Sequence, residues 1–243
     1  MIDVSSSLWI ELAAAACIGL SGVPGCLWRR SGAAGQPTAI AFNLIGSSVG
    51  FVGLVLHARS NEVPSLALGA LPVGQLSVAL DGLSALFLVP ILLVSALGSL
   101  YGASYWSERE HPGSSRRLRL WWGIIAAAMV GVVLARDAVL FLVAWEVMAL
   151  AAFFLICTEE ERPEVRQASW VYLVATHLGT LCLIGFFSLL AHATGSFALW
   201  PGLKGDGPSW LPTALFGLGM TGFGLKAGLM PLHVWLPGAH ANA

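Results

Sequence analysis

The chain has 243 residues, of which 57% are hydrophobic and only 10% are charged, and its formal net charge is −1. Soluble domains usually carry about 25% charged residues, so the composition argues against a water-soluble globular protein. The balanced charge, with no basic stripe, argues against a nucleic-acid partner. The composition therefore predicts an all-α polytopic membrane protein.

The sequence contains about seven apolar runs, each near the length of about 20 residues that a helix needs to cross a bilayer. No basic residue precedes the first run, which favours a membrane span over a cleaved signal peptide. Residues 60–80 contain prolines and glycines and alternate imperfectly, which predicts an extended or hairpin loop. The predicted spans cover residues 8–27, 38–58, 82–104, 119–135, 138–157, 168–191 and 211–230.

The polar segments between these runs predict helix caps, loops and a division into two domains. Asp81 and Asp137 come directly before apolar runs, where helix N-caps are expected. The acidic triplet 159–161 is typical of a solvated loop. We expect one domain over residues 1–118, with the first three helices, and a second over residues 119–243, with the remaining four.

Basic residues are distributed unevenly between alternate loops. The loops after the first, third and fifth helices hold eight of the 12 lysines and arginines, the other loops hold three, and Lys226 lies within the seventh helix. Because cytoplasmic loops are enriched in basic residues, the richer side is expected in the cytoplasm. This orientation places the N-terminus outside a prokaryotic plasma membrane, and the C-terminus inside if all seven helices span.

Two ionisable residues lie within otherwise uncharged predicted helices, Glu146 in the fifth and Lys226 in the seventh. A charge at the centre of a spanning helix costs roughly 2.5–3.5 kcal/mol, and such residues usually mark ion or proton pathways. A structural ion pair, or a side chain that extends to the interface, is the alternative for each. Opposite charges about 4 Å apart at an effective dielectric near 20 attract by about 4 kcal/mol, so a small change in separation would switch the proton affinity of such a pair.

The seventh run is rich in glycine around Lys226 and is followed by Pro231 and Pro237. Glycines permit close packing of membrane helices, and together with proline they predict a broken helix. Tight packing of an ordinary helix is the alternative.

Three histidines are further candidates for a proton path. His177 lies beside Thr176 and Thr180 in the sixth helix, where it could pass protons near neutral pH or bind a neighbouring helix as a neutral side chain. His233 and His240 flank the second proline, at the mouth of a path or simply at the membrane interface.

Other chemistry finds no support in the sequence. It shows no phosphate-binding glycine loop, no nucleophile elbow and no clustered metal or iron–sulfur ligands. The four cysteines are scattered, which fits small side chains within helices better than a disulfide frame. We therefore expect no catalytic residue, no metal, no cofactor and no redox centre of the chain's own.

Trp145-Glu146 and the segments 170–180 and 226–237 resemble the antiporter-like proton-translocating subunits of respiratory complex I and its relatives. Within that superfamily the sequence looks closest to the large membrane subunit, component B, of hydrogenase 4 and formate hydrogenlyase. The resemblance implies the N-terminal half of a fold of about fourteen helices, built from inverted repeats that each contain a broken helix. One departure is Gly238, which stands where many relatives have an acidic residue.

The same resemblance implies roles and partners. Glu146 and Lys226 would form the pair at the start of a proton channel, and His177 would occupy a position that is often basic. The expected partners are other membrane subunits, a second polypeptide carrying the C-terminal half, and peripheral redox subunits that act indirectly.

The expected function is that of a proton-translocating subunit, or an N-terminal fragment of one, in a hydrogenase-4-like or NADH–quinone oxidoreductase-like complex. A cation/proton antiporter subunit of the multi-subunit type and an inactive structural fragment are the alternatives. The sequence leaves open whether Glu146 and Lys226 are in contact and whether protons or sodium ions are coupled.

Overall fold

The structure is a computed structural model that describes residues 5–27, 35–60, 62–71, 74–199 and 208–242. Nearly all of its regular structure is helical, with one two-stranded sheet between the third and fourth helices. The elements are α1 (Ser5–Gly19), α2 (Val23–Leu27), α3 (Gly35–Ala58), β1 (Ser65–Leu71), β2 (Gly74–Ala79), α4 (Gly82–Tyr105), α5 (Ser114–Leu134), α6 (Ala138–Ile156), α7 (Pro163–Thr194), α8 (Leu211–Ala227) and α9 (Leu236–Asn242).

Six helical stretches in the described residues are long and apolar enough to cross a membrane, α1 with α2 counting as one stretch. The seventh predicted span corresponds to α8, whose 17 residues extend about 25 Å at 1.5 Å per residue. A bilayer core is about 30 Å thick, so α8 falls slightly short of it. The all-α polytopic fold with about seven helices is therefore confirmed.

The chain divides into two compact units, and each has its own packing. Unit 1 comprises residues Met1–Ala67 and Ser77–Ala135, and unit 2 comprises Leu68–Leu76 and Arg136–Ala243. The sequence-based division at residues 118 and 119 stays a prediction about domains.

In unit 1, the first predicted span is interrupted by a turn after α1. Ser21 donates its backbone N–H to the Ile18 carbonyl over 3.1 Å, which closes a tighter turn than the α-helix. Gly22 in this turn lies directly against the backbone of Leu120 in α5, so no side chain would fit there. The interruption thus follows from close packing of α1 and α5, which a hydropathy pattern does not reveal.

Two expected helix caps are confirmed. The Asp81 carboxylate accepts a hydrogen bond from the Ser84 backbone N–H over 2.7 Å at the start of α4 in unit 1. The Asp137 carboxylate accepts one from the Leu140 backbone N–H over 2.9 Å at the start of α6 in unit 2. Each carboxylate satisfies one of the N–H groups that a helix leaves unpaired at its first turn.

Two predicted helix starts are five residues too late, because helices extend beyond the apolar residues. α5 begins at Ser114 instead of residue 119, and its Arg119 guanidinium donates to the Ser115 hydroxyl over 2.7 Å. α7 begins at Pro163 instead of residue 168, and proline suits the first helical turn because its missing N–H is not needed there. Hydropathy marks the membrane part of a helix, whereas caps and polar side chains determine where the helix begins.

In unit 2, α7 and α8 approach closely at a pair of glycines. A Cβ added at Gly179 would lie 3.1 Å from the Gly222 carbonyl oxygen, and one at Gly222 would lie 3.0 Å from the Gly179 carbonyl oxygen. Side chains from α7 and α8 form an apolar core below this contact, with Leu183, Phe187, Leu211 and Leu215 among its buried members. This contact fixes α8 against α7 close to Lys226.

The predicted break after the seventh span is present. α8 ends at Ala227, three residues earlier than expected, and Gly228 follows with φ +69°. A left-handed residue of this kind ends many helices and is most easily adopted by glycine. The chain then runs without regular structure through Pro231 until α9 begins at Leu236.

Candidate functional site

The ammonium group of Lys226 lies in the last turn of α8, half-buried inside unit 2. Its Nζ donates a hydrogen bond to the Tyr172 hydroxyl of α7 over 3.0 Å. The same Nζ lies 5.8 Å from the centroid of the Trp145 ring and 5.4 Å from that of the Tyr172 ring. A cation near the face of an aromatic ring, here that of Trp145, and at a helix C-terminus is stabilised by the ring quadrupole and by the helix dipole.

The chain after the break supports this arrangement from the other side. The Trp235 indole N–H donates to the Leu225 carbonyl over 2.6 Å, which satisfies one of the carbonyls left free at the end of α8. Its ring lies edge-on to Tyr172, with centroids 5.2 Å apart and an interplanar angle of 75°. The broken segment therefore holds both the helix end that carries Lys226 and the tyrosine that binds it.

Glu146 lies near the middle of α6, with 28% of its side chain exposed. Its Oε2 is 3.6 Å from His177 Nε2, and its Oε1 is buried with no hydrogen-bond partner among the described residues. The 3.6 Å separation is longer than a direct hydrogen bond, and a small movement of either side chain would complete the contact.

The imidazole of His177 is held from its own helix. Nδ1 lies 3.0 Å from the Leu173 carbonyl oxygen, which is a hydrogen bond when Nδ1 carries a proton. In that tautomer the neutral ring presents Nε2 to Glu146 as an acceptor, and the protonated ring presents it as a donor. His177 can thus give a proton to Glu146 or take one from it.

Glu146 and Lys226 do not form a direct ion pair within 4.0 Å in the described part of the chain. Lys226 Nζ nevertheless lies 5.8 Å from the ring centroid of Trp145, the residue directly before Glu146. The two predicted residues therefore belong to one site, in which Tyr172 is the hydrogen-bond partner of the lysine.

The two remaining candidates lie after the break, away from hydrogen-bond contact with Lys226. His233 is half-buried between α8 and α9, and its Nδ1 has no hydrogen-bond partner among the residues that are described. His240 is exposed on α9. Neither of them joins Glu146, His177, Tyr172 and Lys226 through a described hydrogen bond.

Tyr172 is a site residue that the sequence analysis does not identify. One signal was available, because it is one of only three tyrosines and lies in the same predicted helix as His177, five residues earlier. The other two, Tyr101 and Tyr105, lie near the end of α4. Among the described residues, no group of three or more His, Cys, Asp or Glu side chains could hold a metal ion.

A family model described as NADH:quinone oxidoreductase/Mrp antiporter, TM, matches residues 135–243. Hydrogenase-4 component B of Escherichia coli is 31% identical over 211 residues, which are 83% of this chain and 30% of that protein. An uncharacterized protein of Mycobacterium tuberculosis is 37% identical over 210 residues, 85% of this chain and 32% of that protein. The chain thus spans about a third of the length of these relatives.

Solved structures share the fold. One chain of the membrane-bound sulfane sulfur reductase, an archaeal respiratory membrane complex, superposes with a TM-score of 0.82 at 19% identity, over 96% of this chain and 48% of that one. A chain of respiratory complex I from Thermus thermophilus gives a TM-score of 0.66 at 22% identity, over 93% and 46%. Residues 135–243 match the NADH:quinone oxidoreductase/Mrp antiporter membrane family, and the chain shares its fold with chains of these two respiratory complexes.

Proposed function

We propose that unit 2 carries the first part of a proton path in a proton-translocating membrane subunit of a hydrogenase-4-like or NADH–quinone oxidoreductase-like complex. The observation that carries the proposal is the hydrogen bond of Lys226 to Tyr172 beside the Glu146–His177 contact, all within one helical unit. Four proton-carrying side chains in a membrane domain are costly, and such groups usually mark a proton relay.

The proposed path begins at Glu146 and His177 and leads to Tyr172 and Lys226. Glu146 exchanges a proton with His177 across the 3.6 Å gap when a small movement closes it. Its charge acts on Lys226, so an ionised Glu146 holds the lysine proton and a neutral Glu146 weakens that hold. The Tyr172 hydroxyl accepts the hydrogen bond of the lysine, and it passes on the proton that Lys226 releases only by giving its own hydroxyl proton to a further acceptor such as water.

The proposal includes partners and location. Redox chemistry in peripheral subunits would drive the transfer, and the chain itself would bind neither NADH nor quinone. The rest of the path would come from further membrane segments, in this polypeptide or in another one. The membrane would be the plasma membrane of a prokaryote, with the N-terminus outside, as the basic residues of alternate loops indicate.

A cation/proton antiporter subunit without a redox partner is the second candidate. Its support is the similarity to one of the Na(+)/H(+) antiporter subunits of Alkalihalophilus pseudofirmus, 29% identical over 197 residues, which are 79% of this chain and 23% of that protein. Neighbouring genes separate the two candidates, because hydrogenase or dehydrogenase subunits favour the first and small antiporter subunits favour the second.

The test is proton translocation by the assembled complex in membrane vesicles, measured alongside its electron transfer. We expect Glu146→Gln and Lys226→Ala each to lower translocation about tenfold or more, because each removes a proton carrier. Glu159→Gln, which removes a carboxylate from the exposed ion pair with Arg162, is the matched control and should leave translocation unchanged. Normal translocation by either site variant would overturn the proposal.

A further inference from the structure

Glu11 is a further buried ionisable residue, and it lies in unit 1. It occupies the middle of α1 and is 0% exposed. Neither of its carboxylate oxygens has a hydrogen-bond partner among the described residues. An ionised carboxylate in such a place would be very unfavourable, whereas a neutral carboxyl group is tolerated far better.

The place of this carboxyl group is shaped by two glycines on α3. A Cβ added at Gly53 would lie 2.6 Å from Glu11 Oε1, and one at Gly50 would lie 3.3 Å from Oε2. Leu92 of α4 closes the space on the far side of Gly50, at 2.7 Å from the same added Cβ. The absence of two side chains thus leaves a notch, which we call the Glu11 notch, that accommodates this carboxyl group.

One titratable side chain follows the notch along α3. His57 lies four residues after Gly53 on the same face of the helix, and its Nδ1 is buried without a hydrogen-bond partner in the described part of the chain. α1 itself adds only Cys17 beyond Glu11. The stretches of α4 and α5 on this side of unit 1, residues 85–95 and 120–134, contain no titratable side chain.

From this arrangement we propose that Glu11 is a proton-binding site of unit 1, separate from the Lys226 site, and that its carboxyl group exchanges its proton through the imidazole of His57. The inference does not depend on the proposed function of unit 2, because no residue of that site takes part in it. The notch holds the carboxyl group against α3, and His57 lies near the end of the same helix, toward water.

The proposal that Glu11 binds a proton can be tested with dicyclohexylcarbodiimide, an apolar reagent that modifies protonated carboxyl groups in membranes. The carboxyl proton passes to one reagent nitrogen while a carboxyl oxygen bonds to the central carbon, and one C=N π bond breaks. The acyl carbon then leaves that oxygen for the second nitrogen. One whole reagent molecule stays attached, and peptide mass spectrometry locates it.

The full-length protein in its membrane is treated over a range from mildly acidic to alkaline pH. We expect labelling of Glu11 that decreases as the pH is raised, with about tenfold less labelling of Glu108, whose carboxylate is ion-paired with Arg116 at 2.7 Å. An unlabelled Glu11 beside a labelled Glu146, or labelling that is independent of pH, would overturn the proposal.

Infrared spectroscopy in deuterated buffer tests the role of His57. The carbonyl band of a protonated carboxyl group shifts on deuteration, and Glu11→Gln identifies the band by removing it. Gly53→Ala adds a methyl group that displaces the carboxyl group, so it should shift the band without removing it. This second variant identifies the band if Glu11→Gln does not fold. We expect His57→Asn to slow the deuteration about tenfold or more, since one relay group is removed. An unchanged rate would contradict the role of His57.

Discussion

The two units hold buried ionisable groups in opposite ways. In unit 2, Lys226 has a hydroxyl partner and two aromatic rings, and Glu146 has an imidazole 3.6 Å away. In unit 1, Glu11 is more deeply buried and has no hydrogen-bond partner among the described residues. The comparison is the basis of the two proposals: several neighbouring polar groups in unit 2 would pass protons to one another, whereas the Glu11 notch would hold one neutral acid.

Unit 1 also contains a buried carboxylate that is paired with a basic side chain. At the end of unit 1 away from the notch, Glu108 binds Arg116 over 2.7 Å and accepts the Gln36 backbone N–H over 3.0 Å. The missing partner at Glu11 is therefore a local property of the contact of α1 with α3. It is not a general property of the unit.

The contrast between the two units would not hold if Tyr172 packed beside Lys226 without taking part in proton transfer. Tyr172→Phe keeps the ring against Trp235 and removes the hydroxyl that accepts from Lys226. We expect translocation to fall about tenfold or more, since one member of the relay is lost. Proton translocation in vesicles measures the effect, and Tyr101→Phe at the exposed end of α4 is the control. Equal translocation by Tyr172→Phe and the control would remove Tyr172 from the path.

The close approach of α7 and α8 is expected to limit stability in unit 2. Gly222→Ala would place a methyl group 2.6 Å from Leu183 Cδ2 and 3.0 Å from the Gly179 carbonyl oxygen, which forces the helices apart. We expect a loss of about 1–3 kcal/mol in the free energy of unfolding, the usual cost of overpacking. Gly217→Ala, with no heavy atom within 4 Å of its added Cβ, is the control and should stabilise α8 slightly. Thermal unfolding in detergent measures both variants, and a stable Gly222→Ala protein would show that the contact is loose.

Trp235→Phe tests the hydrogen bond by which the segment after the break holds the C-terminal end of α8. This change keeps an aromatic ring beside Tyr172 and leaves the Leu225 carbonyl without its donor. We expect a loss of about 1–2 kcal/mol in unfolding free energy, as for a buried hydrogen bond that leaves one group unsatisfied. The pH dependence of translocation should also change, because the position of Lys226 is no longer fixed. A variant that changes neither quantity would show that the indole N–H is dispensable.

The smallest expected effect is the stability lost when an N-cap aspartate is removed, and this loss should be similar in the two units. Asp81→Ala in unit 1 and Asp137→Ala in unit 2 each remove an N-cap, and each should cost about 1 kcal/mol of stability. Unfolding in detergent measures the two variants, and Asn substitutions should restore most of the loss. Costs that differ widely would indicate that one of the two carboxylates has a role beyond capping.

Much of the fold follows from the sequence, because the bilayer demands long apolar helices. The spans, both aspartate caps and the break after Lys226 were predictable on that basis. The starts of helices were less predictable. At the start of α5, Arg119 donates a hydrogen bond to Ser115, a contact that hydropathy does not reveal.

The site was predictable only where a residue carries a charge. Glu146 and Lys226 are conspicuous in apolar helices, whereas Tyr172 is uncharged and its role appears only when α7 and α8 meet at their glycines. Glu11 lies near the start of the first predicted span, and the sequence alone does not mark it as a candidate. Its burial depends on Gly50 and Gly53, which belong to another helix and follow it by about 40 residues along the chain.

A double-mutant cycle on proton translocation tests most directly the claim that Glu146 and Lys226 act together in one proton-transfer step. Glu146→Gln, Lys226→Ala and the combined variant are compared with the unchanged protein in the assembled complex, at equal rates of electron transfer. Because groups that act together are not additive, the combined variant should lose no more translocation than Lys226→Ala alone. Losses that multiply in the combined variant, or single variants that translocate normally, would contradict the account.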